Sequence, residues 1–148
     1  MFEHLRKLLQ QSATRPGASA EAERQLAAAV LLLEIARADY AHHDAERAAL
    51  RAGLAREFQV SEAALDALLG QAELRAKQSV SLYDFVKTLN DTMAPDAKRG
   101  LLRLLWDVAH ADGKVDPHEE HLIRQLADLL HLPHADFIRA KLDSRSEQ

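Results

Sequence analysis

Apolar residues recur at helical spacing along most of this chain. Between residues 26 and 36 they stand at 26, 29, 30, 33 and 36, so they line one face of a helix. Aromatic residues are few while Ala and Leu are abundant, which also favours helices over strands. We therefore expect an all-α, single-domain bundle of about seven helices. The predicted bundle helices are 19–39, 45–58, 61–78, a helix from residue 81, 95–111, 117–131 and a short last helix from residue 133, and a short N-terminal helix over 2–11 precedes them.

Helix-breaking residues divide the chain into three parts. Pro16-Gly17 interrupts the helical pattern, and Ser19 is a good N-cap for the long helix that follows. We expect a short N-terminal helix and linker over 1–18, a helical domain over 19–143 and a disordered tail over 144–148. Two large aromatic residues are expected in the core or at its edge, namely Trp106 and Tyr83.

Composition and charge narrow the functional class. The chain has no cysteine, which excludes disulfides, thiolate zinc sites and cysteine nucleophiles. Its net charge of −4 provides no basic stripe for phosphate groups, so we expect no nucleic-acid binding. No segment has the length and apolar character of a signal peptide or membrane span, so a cytoplasmic protein is expected. The amphipathic segment 2–11 could dock on the bundle, bind a partner or associate with a membrane surface. Docking is favoured, because so short a helix is marginally stable alone.

The chain contains an internal repeat. Residues 31–50 match residues 104–123 at constant spacing, and both copies read as an apolar helix, Ala-x-Ala-Asp, six residues, Glu and a second apolar helix. The spacing then shifts by one, so that 54–61 aligns with 126–133. We expect two pseudo-symmetric helix hairpins with two further helices between them.

The turn of the second copy, "HADGKVDPHEE" at 110–120, is rich in residues that end and begin helices. Gly113 suits the left-handed conformation that follows a helix. Asp116, Pro117 and Glu119 suit the N-cap, first and third positions of the next helix, where the two carboxylates can accept from free backbone N–H groups. Helix capping therefore explains much of this turn.

Two acidic residues of the turn are also expected to face inward. Asp112 lies four residues after Val108 and Glu119 four before Ile123, so each continues an apolar stripe. Buried carboxylates need partners, which can be backbone N–H groups, an Arg or His, or a cation. Oxygen ligands favour calcium or magnesium, whereas participation of His110 and His118 would favour zinc or nickel. The first copy repeats the two inward acids as Asp39 and Glu46.

Histidines also raise the alternative of an enzyme. His43-Asp44 resembles the His-Asp doublet of metal-dependent phosphohydrolases, but the only histidine on an upstream predicted helix is His4 near the start of the chain. His118 and His121 have the spacing of a metal pair, yet a solvated helix surface is the favoured interpretation. No phosphate-binding glycine loop or nucleophile elbow is present in the sequence. A hydrolase is therefore the least favoured interpretation.

The second copy resembles the signature of the tellurite-resistance TerB-like family. The resemblance rests on "VAHADGKVDPHEEHLIRQLADLL", and "LLLEIARADYAHHDAER" is similar to a degenerate first copy. It covers about 22–142 and implies an all-α bundle of two related halves. It further implies a bacterial protein of stress or tellurite-resistance systems that acts through protein partners, often beside membranes. A related domain begins membrane-anchored J-domain co-chaperones, although this chain has no J-domain motif.

The resemblance also implies that the acidic turn residues bind metal. The first copy departs from the pattern because Tyr40 replaces the glycine and His43 stands where the second copy has an aspartate. We therefore expect a non-enzymatic module whose second turn is the better cation site, with a purely structural adaptor as the alternative. The implied metal ligands are Asp39, Glu46, Asp112, Asp116 and Glu119.

Overall fold

The computed structural model describes residues 16–38, 44–78, 81–111, 113 and 115–146. The helix predicted over 2–11 lies outside these residues. The described part of the chain is all-α, as predicted, and contains seven helices. They are α1 (Pro16–Ala38), α2 (Asp44–Glu57), α3 (Glu62–Lys77), α4 (Leu82–Thr92), α5 (Pro95–His110), α6 (Pro117–Leu129) and α7 (His134–Ser146).

The local signals in the sequence fix most helix starts. Ser61 is the N-cap of α3, where its Oγ accepts from the N–H of Ala64 at 3.3 Å. Ser81 caps α4, where its Oγ accepts from the N–H of Tyr83 at 3.1 Å. Pro95 begins α5, where its missing N–H leaves no helical hydrogen bond unmade. These starts agree with the expected ones.

The two ends of the bundle differ from the prediction. Helix α1 begins at Pro16 rather than after a linker capped by Ser19, because proline is tolerated in the first turn of a helix. Helix α7 continues to Ser146, although a disordered tail was expected from residue 144. The side chain of Ser144 is buried against α5, which gives this last turn a tertiary reason to be helical.

Helix α1 is the centre of the bundle. Its residues 27–33 and 35 are buried on every side, and it contacts α2, α3, α4, α5 and α6. An apolar run without a polar face is typical of such a central helix. Trp106 of α5 is fully buried, as expected, whereas Tyr83 of α4 is 61% exposed, so its predicted place in the core or at its edge is wrong. None of the described helices is long and apolar enough to cross a membrane.

The repeat extends over three helices rather than two. Helix α3 packs against α1 in the same way that α7 packs against α5, so only α4 separates the two halves. Gln59 and His131, which pair in the shifted alignment, both have a left-handed φ, of 55° and 62°. Each follows the second helix of its half and directs the third helix back onto the first. The halves are therefore α1–α3 and α5–α7.

Candidate functional site

The turn between α5 and α6 has the capping geometry expected from its sequence. Gly113 adopts a φ of 86°, which an L side chain would strain. Asp116 is the N-cap of α6, and its Oδ1 accepts from the N–H of His118 at 2.7 Å. The N–H of Asp116 in turn donates to Oε1 of Glu119 at 3.1 Å. Part of the acidity of this turn therefore begins a helix.

The two repeated glutamates face inward, as predicted. Glu46 is 1% exposed and Glu119 is 0% exposed. Each is the third residue of its helix, and the residues one turn later, Leu50 and Ile123, are buried in the core. The two halves thus place a carboxylate at the same interior position, although residues at the ends of helices are usually solvated.

The predicted ligand set is only partly visible. Asp39 and Asp112 lie outside the described residues, so their relation to Glu46 and Glu119 stays a prediction. Asp116 is half-buried, and one of its oxygens is used in capping. Among the residues that the structure describes, no three His, Asp or Glu side chains converge closely enough to hold a metal ion.

The histidines near the second turn separate into buried and exposed ones. His110, the last residue of α5, is buried, and its Nδ1 lies 3.0 Å from Oγ of Ser144. Its ring stacks on Trp106 with the ring centroids 5.4 Å apart. His118 and His121 are exposed on α6, as expected for a solvated surface. One nitrogen of His110 is therefore already engaged by α7.

A polar and aromatic cluster between α5 and α7 was not foreseen from the sequence. The Oγ of Ser144 donates to Oδ1 of Asp107 at 2.6 Å, and the other oxygen of Asp107 lies 3.8 Å from Nη2 of Arg56. Lys141 lies over the ring of Trp106, with Nζ 5.5 Å from the ring centroid. The helical spacing of 137, 141 and 144 would have pointed to it had α7 been predicted to extend that far.

The fold and the turns define an all-α protein of two related three-helix halves, each with an inward acid at the start of its second helix. The chain belongs to the TerB family: the family model described as tellurite resistance protein TerB matches residues 25–142. The match runs from α1 into α7 and confirms the resemblance stated above. No curated protein and no solved structure gave a significant match to the chain.

Proposed function

We propose that this TerB-family protein is a non-enzymatic, cytoplasmic binding module that takes up a divalent cation at its acidic turns and acts through protein partners in a stress or tellurite-resistance system. The observation that carries the cation proposal is the burial of Glu46 and Glu119 at the same position of both halves. A buried carboxylate is unfavourable unless its charge is neutralised. A bound cation is one way to neutralise it.

The chemistry of the donors favours a hard ion. Glu119, Asp116 and the expected ligand Asp112 offer only carboxylate oxygens, which suit calcium or magnesium. Zinc or nickel would draw on His110 and His118, but the first is hydrogen bonded to Ser144 and the second is exposed. The ion would connect the end of α5 to the start of α6. The corresponding acids of the first half are Asp39 and Glu46.

Isothermal titration of calcium, magnesium, zinc and nickel into chelator-treated, desalted protein tests this proposal. Glu119→Gln is the most informative variant, because its amide oxygen can still accept from the N–H of Asp116 while the charge is lost. We expect calcium to release or absorb heat and to raise the melting temperature. The affinity should fall at least about tenfold in Glu119→Gln and in Asp112→Asn, as expected for the loss of about 1.4 kcal/mol of binding free energy.

Asp128→Asn is the matched control, because Asp128 is exposed on α6 outside the turn. It should bind calcium like the original protein. The absence of heat and of any melting-temperature change with all four ions would overturn the cation proposal.

A purely structural role is the second candidate, and the capping box of α6 favours it. Glu119 already accepts from a backbone N–H, which is a sufficient reason for a glutamate at this position. If this is its whole role, Glu119→Gln should leave the response to every ion unchanged, and Asp112→Asn should change stability by about 1 kcal/mol. The hydrolase alternative gains no support from the described residues, since Asp44 is exposed and His110 is bound to Ser144.

A further inference from the structure

A groove of about 310 Å³ opens in the first half between α1, α2 and α3. Neither Glu46 nor Glu119 lines it, and its floor is apolar while its rim is mostly basic. The floor is formed by Leu33, Ala36 and Ala76, and the rim by Arg37, Arg47, Glu73 and Lys77.

The second half carries a larger side chain at the aligned position of α5. In the aligned repeat Trp106 stands at the position of Leu33, and its indole is fully buried beside His110. Lys141 lies over that indole and forms an ion pair with Glu120, which stands at the position of Arg47. The second half therefore places an aromatic ring, a cation and an acid together at Trp106, Lys141 and Glu120, where the aligned positions of the first half are Leu33, Leu69 and Arg47.

The charges around the groove favour an acidic ligand. Nη1 of Arg37 lies 3.4 Å from Oε1 of Glu34, and Nη2 of Arg47 lies 2.8 Å from Oε1 of Glu73. Lys77 forms no ion pair with the described residues. Three basic side chains against two carboxylates, Glu34 and Glu73, leave one positive charge in excess, and it lies in a chain of net charge −4 and attracts negative charge.

We propose that this groove binds an acidic peptide segment of a partner protein that inserts an aromatic side chain, so that the partner supplies in the first half the ring that Trp106 supplies in the second. The ring would lie on Leu33, Ala36 and Ala76, flanked by arginine side chains that favour aromatic faces. Acidic residues beside it would pair with Lys77 and Arg47. This inference rests on the partner-binding part of the proposed function and is independent of the cation.

A titration of the full chain, labelled with ¹⁵N, tests the groove directly. The probe is the peptide N-acetyl-Asp-Glu-Trp-Glu-Asp-amide, and its binding is followed by backbone amide shifts. We expect the shifts to concentrate around residues 33–37, 47 and 73–77. A peptide with Ala in place of Trp, and one with Lys in place of the four acids, should each bind at least about tenfold more weakly.

Two variants test the groove from the side of the protein. Ala76→Phe fills it from α3, and Lys77→Glu reverses the charge on its rim, so each should lower the peptide affinity at least about tenfold. Lys87→Glu is the matched control on α4, outside the groove. Lys87 is charged at neutral pH like an ordinary lysine, and its hydrogen bond to Asp91 raises its pKa further. Peptide binding should be unchanged in this control.

Leu33→Trp introduces the residue found at the aligned position of the second half, and it should also block the groove. If Leu33→Trp does not fold, Ala76→Phe still tests the proposal. Equal affinity of the original protein, Ala76→Phe and Lys77→Glu for the peptide would overturn the proposal. So would shifts centred elsewhere, or N-acetyltryptophan binding as tightly as the pentapeptide, which would indicate a small aromatic acid as the ligand. None of these outcomes depends on calcium, so they leave the cation proposal intact.

Discussion

The two halves of the molecule share a framework but fill it differently. In the first half α3 presents Leu69 and Ala72 to α1, and both are buried in an apolar interface. In the second half the aligned residues of α7 are Lys141 and Ser144, which face a tryptophan, a histidine and an aspartate of α5. The repeated fold therefore accepts a polar interface in which Ser144 is hydrogen bonded to both Asp107 and His110.

The same difference changes the surface. The indole of Trp106 is covered by Lys141 in the second half, whereas the aligned Leu33 lines an open groove in the first. The acidic turns also differ between the halves. Only the second copy has the turn glycine, Gly113, and the N-cap aspartate, Asp116, on which the family resemblance rests. We infer a division of roles, with peptide binding in the first half and the better cation turn in the second.

Removing the ring of Trp106 should break the second half most severely. Trp106→Ala should lower the free energy of unfolding by about 3–5 kcal/mol, because it leaves a cavity beside His110 and Phe137. Urea denaturation followed by circular dichroism measures this loss. Leu33→Ala, the matched change in the first half, should cost less, and Tyr83→Ala, at an exposed aromatic residue, should change stability by less than about 0.5 kcal/mol. A loss below about 1 kcal/mol in Trp106→Ala would contradict the packing described here.

Local sequence signals were enough to predict most helices. Caps and first-turn prolines act within one turn, so Ser61, Pro95 and the Asp116–Glu119 box could be assigned from neighbouring residues alone. The extent of α7 could not, since it depends on partners of Ser144, namely His110 and Asp107, that lie 34 and 37 residues earlier in the chain. Its continuation past residue 143 is a consequence of tertiary packing.

The candidate functional residues were also predictable from the sequence only in part. The inward direction of Glu46 and Glu119 followed from their distance to the next apolar residue, because one helical turn fixes a face. The groove could not be predicted, since it depends on how side chains of three separate helices, α1, α2 and α3, come together. Three-helix repetition was likewise hidden in the sequence, where the one-residue shift obscures the match between α3 and α7.

Exchanging the residues at the matched positions 72 and 144 sharpens the comparison of the two interfaces. Ser144→Ala removes the hydroxyl that joins Asp107 to His110, and it should lower the free energy of unfolding by about 1.5–3 kcal/mol because one partner is charged. Ala72→Ser should also destabilise, by about 1–3 kcal/mol, because it buries a hydroxyl in an apolar interface. Chemical denaturation of both variants gives the two values. If Ser144→Ala were neutral, the polar cluster would contribute nothing to the second half.

The contact between the halves gives the smallest expected effect, and two glycines make it measurable. Gly53 of α2 packs so closely on α5 that an added Cβ would lie 2.0 Å from Cδ1 of Leu104, a buried side chain that would have to move. Gly53→Ala should therefore destabilise by about 1–2 kcal/mol, after allowing for the better helix propensity of alanine. Gly70 on α3 has nothing within 4 Å of such a Cβ, so Gly70→Ala should stabilise by about 0.5–1 kcal/mol. Thermal denaturation of the two variants separates these effects. Both gain helix propensity, but only Gly53→Ala disturbs the close packing of α2 on α5. If both variants shifted the melting temperature equally, Leu104 would be able to move aside at no cost. The contact of α2 with α5 would then be packed less tightly than the core inside each half.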